Sequence, residues 1–147
     1  IVRSINLESK KIQKEYGVSI PQALCLSYLH ASPNYQSTQG EIRNFLNLNS
    51  STTSGIIDRL EMKGFIARLP KQGDKRVVNI ALTSKGASLL KNVPPLLHER
   101  LSEKLKLLPE NKLNQIQESL HVLVALLDIE GIEASPMITI DEHIDEA

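Results

Sequence analysis

A single cysteine in 147 residues cannot form a disulfide framework, and Cys25 with four scattered histidines, His30, His98, His121 and His143, offers no metal-ligand spacing. Nor is there an apolar run of the roughly 18 residues that a membrane helix needs, or a basic-then-apolar leader, so neither span nor secretion is indicated and a cytoplasmic protein is expected. No nucleophile stands beside a base, no Gly-rich loop could cradle phosphate, and no two carboxylates share a face. An enzyme would lack its parts, and no cofactor is expected. Charge imbalance is also missing, since 17 Lys and Arg offset 17 Asp and Glu. That balance conceals a division. Residues 128–147 hold Asp128, Glu130, Glu133, Asp141, Glu142, Asp145 and Glu146 without Lys or Arg, so the rest of the chain is basic by the same seven charges. A basic body is compatible with nucleic acid, and the acidic end reads as a solubilising tail.

The length suits one domain or one compact protomer. The chain opens at Ile1 in an apparent helical pattern, from which we expect further residues ahead of it. Val2, Ile5, Leu7, Ile12 and Tyr16 give a first amphipathic helix ended by Gly17. Ser19, Pro21 and Gln22 then read as the cap, early proline and N3 partner of an apolar helix reaching about Ala31, with Cys25 as a small buried member and Ser32-Pro33-Asn34 as its stop.

The organising stretch is 37–83. Ser37, Thr38 and Gln39 open a short helical run to Leu46, Asn47-Leu48-Asn49 make a polar break, and a second run extends from Ser50 to Lys63. Asn49 or Ser50 can cap this second helix, and Gly64 stands where a C′ glycine is expected. Ile56, Ile57 and Leu60, with Thr53 a turn before, mark its inner side. Ser51, Ser54, Gly55, Asp58 and Arg59, with Thr52 at the margin, mark the outer one. Five successive hydroxyl residues, Ser50 to Ser54, are poor helix formers. Either this is a solvated face, or short donors followed by a long guanidinium fork reach phosphates and base edges from a recognition helix in the major groove.

Strand-like runs Phe65–Leu69 and Val77–Leu82 follow, joined by a loop that begins at Pro70. From Arg68 through Lys71, Lys75 and Arg76 lie four basic residues against one acid, Asp74, as in a wing beside a recognition helix. These features favour DNA contact over the bland reading.

At these residues the chain resembles the multiple-antibiotic-resistance regulator (MarR) family of winged-helix transcription factors. The resemblance covers Val18 to Gly86. It includes Ile20-Pro21-Gln22, the hydroxyl-rich helix, the run from Arg59 to Ile66, the Asp74-Lys75-Arg76 wing and Leu82-Thr83-Ser84-Lys85-Gly86. It implies a mainly α protein with a small β-hairpin, built as a winged helix-turn-helix lobe at 18–93. A helical dimerisation region would come from 1–17 and 94–131, and 132–147 would form the acidic tail. It further implies a homodimeric regulator, acting as a repressor, on an inverted-repeat operator of double-stranded DNA. The recognition helix would enter the major groove, and Arg76, steadied by Asp74, the minor groove. Many members release DNA on binding a small aromatic acid. Tyr16, Tyr28, His30, His98 and Arg100 are the residues here that such an effector could meet. Some members sense oxidants through a cysteine near the end of the first helix, and Lys10 to Tyr16 contains none.

Beyond the wing, Leu89, Leu90 and Val93 lead to Pro94-Pro95, which either kink one helix or separate two. Leu96, Leu97, Leu101, Leu105 and Leu108 continue the stripe. A last helix carries Leu113, Ile116, Leu120, Leu123, Val124 and Leu127 on a wide apolar face before Gly131. The rival reading from another class is a winged-helix protein-interaction module that does not touch DNA. Its mark would be an apolar or acidic recognition face.

Overall fold

The structure is a computed structural model that describes residues 1–70 and 78–127. The described chain divides into two compact units, Ile1–Pro94 and the residues from Pro95 onward.

In the first unit, α1 (Val2–Tyr16) buries Ile5 and Ile12, one side of the helix, and leaves Val2 and Leu7 exposed. α2 (Ile20–Ala31) is the central rod. Ser19 accepts from the Gln22 N–H while the Gln22 side chain accepts from the Ser19 N–H, so both free donors are satisfied as the helix starts. Ile20 to Leu26 and Leu29 are buried, because α2 packs against α1, α3, α4, α5 and the sheet. A single turn at Pro33–Tyr35 leads to β1 (Gln36–Thr38). Next come α3 (Gln39–Leu46), α4 (Ser50–Met62), β2 (Ile66–Arg68), β3 (Asn79–Leu82) and α5 (Ser84–Asn92).

The hairpin expected from the sequence is part of a three-stranded antiparallel sheet in the order β1-β3-β2. Ser37 and Thr38, expected as a helix start, instead pair with Ile80 and Asn79, and α3 begins at Gln39, two residues later. The strands are also shorter than expected. Phe65 lies in the turn after α4, although Leu69 still donates to the Asn79 carbonyl at 2.8 Å. Ile66, Ile80, Ile42, Leu46, Ile56, Ile57 and Leu60 join the α2 side chains in one core.

Gly64 ends α4 with φ of 76°, which a side chain would make costly. Its N–H and that of Phe65 bond the carbonyls of Glu61 and Leu60, closing the helix end and turning the chain into β2. At the same corner Lys63 Nζ donates to the Gly17 carbonyl, and Lys85 Nζ to that of Lys63 at 2.7 Å. The ends of α1 and α4 are thereby tied.

Pro94-Pro95 separate α5, in the first unit, from the first helix of the second. Glu99 accepts from the Leu96 N–H at 2.7 Å at the start of α6 (Leu97–Lys106), and α7 (Glu110–Leu126) follows. Neither helix contains a buried residue. Gly131, the expected end of the last helix, lies outside the described residues, as does the acidic tail. No helix among the described residues is long and apolar enough to cross a membrane.

Candidate nucleic-acid interface

The first helix of the pair is set by a carboxylate. Glu41 accepts from the Thr38 N–H at 2.9 Å, from the Thr38 hydroxyl at 3.0 Å and from the Ser37 hydroxyl at 2.6 Å, while Thr38 Oγ1 accepts from the Glu41 N–H. Chiefly the Ser37 hydrogen bond, then the two from Thr38, hold the Glu41 carboxyl below its ordinary pKa of 4.5. Ser37 is buried and its hydroxyl is occupied by this cap. Thr38 is half-buried at the helix start.

The second helix is capped by Asn49, whose side chain accepts from the Thr52 N–H at 2.8 Å. This settles the choice between Asn49 and Ser50 and leaves the Ser50 hydroxyl for another partner. Thr53 is fully buried and donates to the Asn49 carbonyl, which places it on the inner side as expected. Asn47, at φ of 50°, turns the chain between the helices.

Two side chains of α3 reach across to α4. Gln39 Nε2 donates to Ser54 Oγ at 2.8 Å, and Arg43 Nη1 donates to Ser50 Oγ at 3.2 Å. Each serine oxygen thus receives one hydrogen bond, and its own O–H can still be donated. The two helices converge on a cleft of about 450 Å3 lined by Thr38, Gln39, Gly40, Arg43, Ser50, Thr53 and Val78. Arg43 is not among the residues expected at the site. A signal for it exists in the sequence, because it follows Gln39 by four residues and so shares its side of α3.

Ser51 is exposed, and Thr52, Ser54 and Gly55 are partly so. Arg59 is exposed but lies back along its own helix, donating from Nε to the Gly55 carbonyl at 3.1 Å. A Cβ on Gly55 would come within 3.2 Å of that guanidinium. Arg68 is engaged differently from Arg59. It donates through Nη2 to Asp58 at 2.5 Å and through Nη1 to Glu61, and its backbone N–H reaches Glu61 at 3.0 Å. The Asp58 hydrogen bond is the chief reason its pKa is raised. Lys71, Asp74, Lys75 and Arg76 lie outside the described residues. Among the described residues, no group of three or more His, Cys, Asp or Glu could hold a metal ion.

Two short helices meeting at a polar turn, with an antiparallel sheet entered directly from the second, define a winged helix-turn-helix domain. Residues 18–78, which make up most of this domain, match the MarR family model. It is 42% identical over 59 residues to the HTH-type transcriptional regulator PecS of Dickeya dadantii, covering 40% of this chain and 36% of that one. To the transcriptional repressor MprA of Escherichia coli it is 26% identical over 118 residues, or 80% of this chain and 67% of that one. The solved complex of S. aureus MepR with DNA superposes with a TM-score of 0.66 at 25% identity, covering 85% of this chain and 90% of that one. PecS is named as a transcriptional regulator and MprA as a transcriptional repressor, and the chain spans about a third of the length of PecS.

Proposed function

We propose that this chain is a DNA-binding transcriptional regulator, acting as a homodimeric repressor on an inverted-repeat operator. The observation that carries this is the hydroxyl side of α4, where Ser50 and Ser54 accept from Arg43 and Gln39 of α3 and each keeps an O–H that can be donated to an acceptor outside the protein. Guanine O6 and N7, thymine O4 and phosphate oxygens are such acceptors. MepR, a relative of this fold, was solved in complex with DNA, which supports the same use here.

In this reading α4 enters the major groove, with Ser51, Thr52, Ser54, Gly55 and Arg59 nearest the bases. Thr38 and Gln39 approach the backbone, and Lys71, Lys75 and Arg76 bring the wing to the adjacent minor groove. Residues 1–17 and 94–131 form the dimerisation region, which spaces the half-sites about one helical turn apart. A small aromatic acid that binds the DNA-free arrangement better would release the operator.

The test is fluorescence polarisation with the DNA upstream of the protein's own gene, at several salt concentrations. Tight binding to an inverted repeat is expected, with a log–log salt slope of about −0.9 for each phosphate neutralised. A flat salt response would favour a protein-interaction module. For the effector, calorimetry with salicylate should give a weaker affinity on the DNA-bound protein, and equal affinities would remove that part.

A further inference from the structure

We infer that Arg68 is a positioning residue that fastens the wing to the recognition helix, and that it does not itself contact DNA. This rests on the DNA reading above and refines the role of one residue in it. Arg68 is the last residue of β2. Contrary to the expectation from the sequence, two carboxylates do share a face: Asp58 and Glu61 lie one helical turn apart on α4, and the Arg68 guanidinium bridges both while its N–H holds Glu61 as well. β2 is also held to β3, since Arg68 pairs with Ile80 and Leu69 donates to the Asn79 carbonyl. The base of the wing is therefore fixed to the helix by a forked ion pair as well as by the turn at Gly64.

The arrangement also answers a question of charge. Asp58 is 57% and Glu61 37% exposed, and both lie on the helix that approaches a polyanion. A guanidinium between them lowers that repulsion, and its planar fork fits two carboxylates in a way that a lysine ammonium does not. A guanidinium so engaged has its Nη1 and Nη2 donors directed at Glu61 and Asp58. With side-chain exposure of 32%, it is less free to reach phosphate than the exposed Arg59.

The experiment uses the full chain as parent, Arg68→Ala, Arg68→Lys, Asp58→Asn with Glu61→Gln, and the combination of that pair with Arg68→Ala. Each is titrated on operators that differ only in having A·T-rich or G·C-rich flanks beneath the wing. We expect the parent to discriminate between the flanks and every variant to lose most of that discrimination, to within about twofold. The salt slope should stay within about half a unit of the parent's, and the combined variant should be no worse than the more impaired of its components. A slope reduced by about 1 in Arg68→Ala, with flank discrimination intact in the carboxylate variant, would mean that Arg68 neutralises a phosphate and would overturn the inference. Thermal unfolding of the same proteins without DNA supplies a second arm. Non-additive shifts in Tm support the clamp, and additive shifts overturn it. Failure of the parent to bind any operator would sink the DNA reading, while the unfolding arm would still decide whether the clamp exists.

Discussion

Gly86 shows how a single position can be dictated by its neighbours. A Cβ there would sit 2.2 Å from the Phe65 carbonyl oxygen and 2.8 Å from Leu82 Cδ1, and a backbone atom cannot swing aside as a side-chain tip can. The close approach follows from how Thr83 is used. Its N–H donates to the Phe65 carbonyl at 3.1 Å, its hydroxyl donates to the Gly64 carbonyl at 2.7 Å, and its Oγ1 accepts from the Gly86 N–H at 3.1 Å. The Leu-Thr-x-x-Gly run thus docks the start of α5 onto the turn that ends α4. Gly86→Ala should destabilise the protein by about 3 kcal/mol, through overpacking against rigid backbone. At roughly 2–4 °C per kcal/mol for a chain of this size, calorimetry should record a loss of about 10 °C in Tm. A change below about 2 °C would show that the Phe65 segment yields. Cys25 illustrates the opposite kind of residue, legible from the sequence alone. An apolar helical neighbourhood implies burial, and the thiol is fully buried, its pKa pushed up to about 12 by loss of solvent. Arg59 is less legible. It stands between Asp58 and Glu61 in the sequence, yet the partner of both is Arg68, which reaches them only because the chain reverses at Gly64.

At the scale of elements, legibility follows the range of the interactions. Helix ends are local, and Gly17, Ser19 with Gln22, and Gly64 all act where their neighbours in the chain imply. β1 is not legible, because three polar residues carry no strand pattern and their partners, Asn79 to Ala81, lie more than 40 positions away. A local signal does exist at the same place, since Thr38 and Glu41 have the spacing of a capping box and fix the start of α3 after the strand. Between α3 and α4 the Gln39 to Ser54 hydrogen bond, 15 positions apart, is likewise outside local pattern, although both residues are expected at the interface. It makes a specific demand. If Gln39 presets the Ser54 hydroxyl as a donor, Gln39→Ala and Ser54→Ala should each weaken operator binding by about 1 kcal/mol, the usual net value of a neutral hydrogen bond. The double variant should then fall short of their sum by about 0.5–1 kcal/mol. Polarisation titrations close this cycle, and strict additivity would mean that the two side chains meet DNA independently.

For the whole molecule, the surplus of exposed apolar surface governs the argument. In α7, Ile116, Leu120, Val122, Leu123 and Leu126 are each 40% or more exposed, and in α1 Val2 and Leu7 are exposed as well. Side chains of this kind, repeated along a helix, are the surface that a two-fold partner would cover. Periodicity alone makes the apolar face of α7 legible, yet a pattern of apolar residues is the same whether they pack within a chain or between two. The distinction can be measured. Leu120→Glu with Leu123→Lys changes residues that are 54% exposed each, so a monomer should tolerate both with little change in stability. A dimer closed through these positions would bury two charges on each side of its axis, and sedimentation should show it dissociating at micromolar concentration. Operator affinity should then fall by roughly 10²-fold or more, because the second half-site contact ceases to be intramolecular, while the weak binding of a single half-site remains. If the variant sediments as the parent does and binds the full operator equally well, the α7 face lies outside the dimer contact and the proposed dimerisation region must be drawn elsewhere.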